Sequence, residues 1–150
     1  ASIDINLQDV DVDRLKQRGI ETAGKCKHIR VAFLTGPLFF AATGQFDEAF
    51  ANLKDTHALI LSMRGVPLID TEGLEEIQRL HERLHKQGGT LMFAGVHDNA
   101  RAMMERDGLV QIIGEENFFW SSDQAIVEAE RRDCAFCASE VIESPENAAT

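Results

Sequence analysis

Apolar residues recur along this chain with two spacings, every second position or every third and fourth. Ile3, Ile5 and Leu7 alternate with Asp4 and Asn6, the rhythm of a half-buried strand at a sheet edge. Gln8–Lys27 is polar, holds Gly19 and Gly24, and predicts a connection with about one turn of helix. Ile29–Leu34 is apolar and stops at Gly36-Pro37, as a central strand does. Leu38-Phe39-Phe40-Ala41-Ala42 follows, too apolar for a solvent loop. Phe46, Ala49, Phe50 and Leu53 then fall at helical spacing. Ala58–Ser62 predicts a short buried strand, Glu72–Gln87 the longest helix, closed by Gly88-Gly89, and Thr90–Ala94 another buried strand. Asp98–Arg106 predicts a helix capped by Asp98, with Ala100, Met103 and Met104 inward, ended by Asp107-Gly108. Val110–Ile113 reads as a last short strand. Ser122–Arg132 reads as a final helix, capped by Ser121 or Ser122, with Ala125, Ile126 and Ala129 inward. Strands alternating with helices through short turns predict an α/β fold with a mostly parallel sheet and right-handed crossovers. About five strands and about four helices are expected. The organisation expected is a linker with a first edge strand over 1–27, a domain over 28–132, and an acidic tail over 133–150.

The stretch from Ala58 to Leu84 organises the rest. A buried strand passes through a turn holding Pro67 and Asp70-Thr71-Glu72-Gly73 into an amphipathic helix. Leu74, Ile77, Leu80 and Leu84 share one face. Glu72, Glu75 and Glu76 crowd the start and Arg83 and Lys86 the end, an order that complements the helix dipole. Asp70 is the expected N-cap. Gly73 occupies the position where a capping box places glutamate, and it permits close backbone approach. A hydroxyl in the first turn, Thr71, can carry a phosphate, because free N–H groups and the dipole favour an anion there. The plainer reading is that Thr71 only caps the helix, and the neighbouring glutamates oppose added negative charge.

Composition narrows the function. The chain has 150 residues, 44% of them hydrophobic, enough for one domain with a real core. No apolar run is long enough to cross a bilayer, and no signal-peptide pattern opens the chain. It begins at Ala1, as a piece of a longer chain does. The net charge is -10 and unevenly spread. Five acids and five bases cancel over 1–27, eleven acids face eight bases over 28–114, and nine acids face two bases over 115–150. Such a surface repels nucleic acid and anionic headgroups. Three cysteines in a chain with an adequate core indicate a reducing compartment rather than a disulfide framework.

Two motifs imitate chemistry. His81-Glu82-Arg83-Leu84-His85 is a literal H-E-x-x-H, the zinc-peptidase pattern, with Glu105 as a conceivable third ligand. On the helical wheel, however, both histidines flank the apolar face and Glu82 turns outward, with little chain left to build a cleft. A solvated helix flank is the expected reading, and a zinc peptidase the remote alternative. Cys134-x-x-Cys137 sits in the acidic tail with neither a second pair nor a preceding βα unit, and is read as a thiol pair without function. His28, His57 and His97 are scattered. There is no nucleophile–base pattern, no glycine-rich phosphate loop and no metal or cofactor site expected.

Ile29–Ala42, with its Gly36-Pro37-Leu38-Phe39-Phe40 turn, resembles the opening of the STAS domain attached to SulP anion transporters. Leu59–Leu74 is similar to that family's central strand, loop and helix start; Leu91–Val96, Arg106–Gly114 and Ser121–Ala129 resemble its later elements. The resemblance covers roughly residues 28–130, and Phe39 stands where free-standing anti-sigma factor antagonists usually carry a polar or acidic residue. It implies a STAS-like (SpoIIAA-like) fold and a non-catalytic regulatory domain at the cytoplasmic face of the plasma membrane, within a sulfate or related anion transporter. Implied contacts are the membrane domain of the same polypeptide, a second copy in a dimer, or a cytoplasmic protein or nucleotide. Thr71 aligns with the phosphorylatable residue of the antagonist branch, so a free-standing phospho-switch at Thr71 is the alternative. Candidate contact residues are Pro37, Leu38, Phe39, Phe40, Asp70, Thr71, Glu72 and Gly73. The Phe39-Phe40 pair has two readings: core packing beneath the first helix, or one exposed ring that docks on the membrane domain.

Overall fold

The computed structural model describes residues 3–10, 12–20, 26–39 and 43–143. Its elements run β1 (Asp4–Asp9), α1 (Val12–Gln17), β2 (Ile29–Thr35), α2 (Thr43–Ala49), β3 (Ala58–Gly65), α3 (Thr71–Lys86), β4 (Thr90–Ala94), α4 (Asp98–Arg106), α5 (Leu109–Ile113), β5 (Phe118–Phe119), α6 (Ser122–Arg131) and α7 (Ala135–Glu143). The five strands form one sheet in sequence order. β1 is an antiparallel edge strand, and β2 to β5 are parallel. The expected α/β architecture with a mostly parallel sheet is therefore present. The described residues hold seven α-helices rather than about four.

Each parallel strand is apolar on both faces because helices cover both. On one face Leu34, Leu59, Leu61, Met63, Leu91 and Phe93 pack under α2, α3, α4 and α5. On the other Val31, Ile60, Met92 and Ala94 pack under Leu15 of α1 and Ala125, Ile126 and Ala129 of α6. The expected inward faces of α3 and α6 are the buried ones. On α4, Ala100 and Met104 are buried, and Met103 is partly buried against the same core.

Four local expectations change. Val110–Ile113 is helical rather than extended. Gly108 takes φ 81, ending α4 and launching a five-residue α5 whose Leu109, Val110 and Ile113 are buried; spacing over so short an apolar run does not separate strand from helix. The last strand is instead Phe118–Phe119, two residues held between a 3-10 turn at Glu115–Asn117 and the cap of α6. His97, not Asp98, is the N-cap of α4; Asp98 is its first residue, with its carboxylate at the positive end of the helix. Finally, the start of the supposed tail is the helix α7.

α3 closes as the glycines imply. Gly88 takes φ 87, and the Gly89 N–H donates to the Leu84 carbonyl at 2.8 Å. Among the described residues no helix is long and apolar enough to cross a membrane.

Candidate functional site

The chain leaves the sheet at the ends of β2 and β3 through two turns that are tied together by backbone. The Gly36 N–H donates to the Gly65 carbonyl at 2.8 Å, Leu38 N–H to Leu68 O at 3.0 Å, and Asp70 N–H to Leu38 O at 3.1 Å. Leu38 and Ile69 form a parallel bridge, and both side chains are buried. That register sets which residues face out. Pro67 and Leu68 are exposed, Leu68 at 47%. Phe39 is 39% exposed, and Pro37 is half-buried. An apolar rim thus stands beside the start of α3.

Asp70 caps α3 from extended backbone (φ -90, ψ 178), and its Oδ1 accepts from the Gly73 N–H at 2.8 Å. The missing capping-box glutamate costs only the return half of that motif. Thr71 is the first helical residue, and its side chain and that of Glu72 are exposed. A Cβ on Gly73 would lie 2.4 Å from the Leu38 carbonyl oxygen, so the backbone contact leaves no room for a side chain. Further along, Arg79 pairs with Glu76 and lies 4.0 Å from Glu75. The Glu76 carboxylate is buried, and its hydrogen bond holds the Arg79 guanidinium above its ordinary value.

The structure thus brings together the two stretches expected to make contact, Pro37–Phe39 and Asp70–Gly73, but divides their labour. Leu38 and Gly73 are buried; they set the spacing of the turns and offer a partner no surface. Phe39, Thr71 and Glu72 are the outward positions, and the half-buried Asp70 holds the helix start. The Phe39 ring is exposed, and Phe40 lies outside the described residues. Pro67 and Leu68 belong to the same rim and were missed as candidates. The continuous run Val66-Pro67-Leu68-Ile69 carries no periodic signal, and only the pairing of this stretch with Leu38 shows which of its residues face out.

A concavity elsewhere on the sheet was also illegible in the sequence. A groove of about 620 Å³ opens on the opposite face of the sheet, lined among others by Phe33, Arg64, Arg18, Ser121 and Asp123. Phe33 is 42% exposed there, and Trp120 close by in sequence is 84% exposed. The Arg64 guanidinium donates to the Trp120 carbonyl at 3.1 Å, and Arg18 pairs with Asp123 at 3.0 Å, so both cations are engaged with neighbours.

His81 and His85 stack with ring centroids 5.9 Å apart. His81 is half-buried and Glu82 and His85 are exposed, as the helical wheel implies. Among the described residues, the cluster of three or more metal-type ligands is formed by Cys26, Cys134 and Cys137; the H-E-x-x-H residues and Glu105 are not in it. Burial first, and the adjacent His85 second, hold His81 below the ordinary histidine value of 6.5. The folded state therefore binds this proton less readily than the unfolded chain, and the neutral-ring contribution, complete above about pH 6.5, is lost as pH falls below it. Urea unfolding between pH 7.5 and 5.5 is expected to show stability falling with pH, with a shallower slope in His81→Gln. An unchanged slope would assign the pH dependence to other groups.

A family model for the STAS domain matches residues 16–125. A Bacillus subtilis protein described as "Putative sulfate transporter YvdB" is 27% identical over 93 residues, 61% of this chain. The match spans 18% of that protein's length. Among solved structures, a sulfate transporter family protein from Wolinella succinogenes superposes with a TM-score of 0.64 at 28% identity, covering 69% of this chain and 86% of that one. The STAS domain of a SulP transporter from Vibrio cholerae gives 0.61 at 26% identity, covering 78% and 91%. An anti-sigma factor antagonist from Mycobacterium paratuberculosis shares the fold, with a TM-score of 0.61 at 17% identity, covering 87% and 95%.

Proposed function

The chain belongs to the STAS domain family, and from that membership we propose that it is the cytoplasmic regulatory domain of a SulP-type sulfate or related anion transporter. It acts by contact rather than by catalysis. The observation that carries this reading is the pair of solved transporter-family domains at 26–28% identity, each matched over most of its own length. The antagonist likeness is one of fold alone. The surface offered for contact is the rim made by Phe39, Pro67 and Leu68 beside Thr71 and Glu72, with the membrane domain of the same polypeptide as its first partner. An exposed aromatic next to an exposed leucine is the composition of an interface anchor. A phosphate on Thr71 would meet the exposed Glu72 and Glu75 carboxylates within the first two turns, which favours the contact role over the free-standing phospho-switch.

The coding sequence upstream of Ala1 tests the assignment: several hydrophobic segments of about 20 residues each are expected, and an unrelated soluble sequence there would refute it. The surface has its own test. Phe39→Asp combined with Leu68→Asp should leave the unfolding free energy of the 150-residue chain within about 0.5 kcal/mol, as for exposed positions generally. In the full transporter, the same double substitution should change the initial rate of sulfate uptake at least about tenfold at equal membrane abundance, the scale set by one interface anchor. Unchanged uptake would remove the rim from the mechanism.

A further inference from the structure

Three thiols from the two ends of the chain meet on one side of the sheet. Cys26 stands just before β2, and Cys134 and Cys137 flank the first turn of α7. Their sulfur atoms all lie within 4.8 Å of one another, none of them in a disulfide. Each is half-buried. The Cys137 N–H donates to the Cys134 sulfur at 3.3 Å. α7 is held in place by His28, whose Nε2 lies 2.8 Å from a Glu140 carboxylate oxygen and whose ring packs on Phe136 at 5.5 Å. Its Nδ1 is engaged with the Asp55 carbonyl at 2.9 Å, so neither ring nitrogen is counted among the ligands.

We propose that Cys26, Cys134 and Cys137 bind one thiophilic d10 cation, zinc being the one tested, and thereby fasten α7 to the body of the domain. Soft thiolates select such ions. A tetrahedral zinc with bonds of about 2.3 Å sets its sulfurs about 3.8 Å apart. Sulfurs within 4.8 Å of one another therefore need to close by no more than about 1 Å. Zn²⁺ displaces three protons from the three thiols, forms three Zn–S bonds and leaves a complex of charge -1 with a fourth position for water. Because the three ligands bind as thiolates, uptake must strengthen as pH rises. The site is independent of the rim at Phe39 and of the transporter assignment.

The fully reduced 150-residue chain, loaded with zinc and freed of excess by gel filtration, is expected to hold one equivalent of metal. Zinc should protect three thiols from alkylation, a readout that needs no variant. Co²⁺ in its place should give the near-ultraviolet charge-transfer band of thiolate ligation. Cys26→Ser should weaken zinc binding by at least tenfold, since even groups beyond the ligand shell are worth about 10–100-fold, whereas His81→Gln should not alter it. Absence of stoichiometric zinc, undiminished binding in Cys26→Ser, or dependence of the metal on His81 would each overturn the proposal.

Discussion

Truncating Phe93 to alanine is expected to lower the unfolding free energy by about 3–5 kcal/mol, the range for removing a buried phenyl ring. Phe93 is fully buried on β4, in the core beneath α3, α4 and α5. Its ring stacks on Phe118 at 5.1 Å, and Arg101 lies over the other aromatic at 4.7 Å. Removing it opens a cavity that the surrounding strands cannot close, because β4 is paired on both sides. It also strips β5, only two residues long, of its main packing partner. Urea unfolding of the variant should show a lower midpoint with an unchanged slope. A loss below about 1 kcal/mol would mean that the site collapses freely, against the close packing assigned to this core.

Gly73→Ala is the second large effect, and it bears on the candidate site directly. The added methyl would lie 2.4 Å from the Leu38 carbonyl oxygen and 2.9 Å from the Ile69 side chain. The first of these is backbone and cannot swing aside. A cost near the upper end of the usual 1–3 kcal/mol for overpacking is expected, even though alanine is the better helix former by about 1 kcal/mol. Gly44 is the matched control. It sits in α2, where an added methyl would meet nothing within 4 Å, so Gly44→Ala should stabilise by about 0.4–1 kcal/mol. Equal responses at the two glycines would mean that the contact between the turns does not constrain the start of α3. Because the strain at Gly73 pushes on Leu38, it should also shift the amide resonances of Phe39 and Leu68 in NMR spectra, while the Gly44 variant leaves them in place.

Much of this protein is written in local pattern. Leu74, Ile77, Leu80 and Leu84 at helical spacing dictate α3, and all four are buried. Asp70 ahead of them dictates its cap, and Gly88 its end. Four apolar runs between polar turns are enough for parallel strands, because a strand covered on both faces must be apolar throughout; three of those runs were placed, and only the last was misassigned. The family resemblance around Gly36-Pro37 and Asp70–Gly73 was carried by the same residues, since tight turns tolerate few side chains.

Tertiary structure decided the rest, wherever the energy comes from partners distant in sequence. Val110 and Ile113 are apolar in either conformation, and burial against the core, not spacing, selects helix. The outward direction of Phe39 and Leu68 follows from the bridge between Leu38 and Ile69. The groove beside Arg64 exists because α1 and α6 pack on one side of the sheet. Cys26 meets Cys134 and Cys137 because α7 folds back over the start of β2. Local preferences set how each segment is shaped, being interactions among neighbours in the chain. Which exposed residues and which sulfurs end up side by side depends on contacts between segments, and those exist only once the sheet has formed.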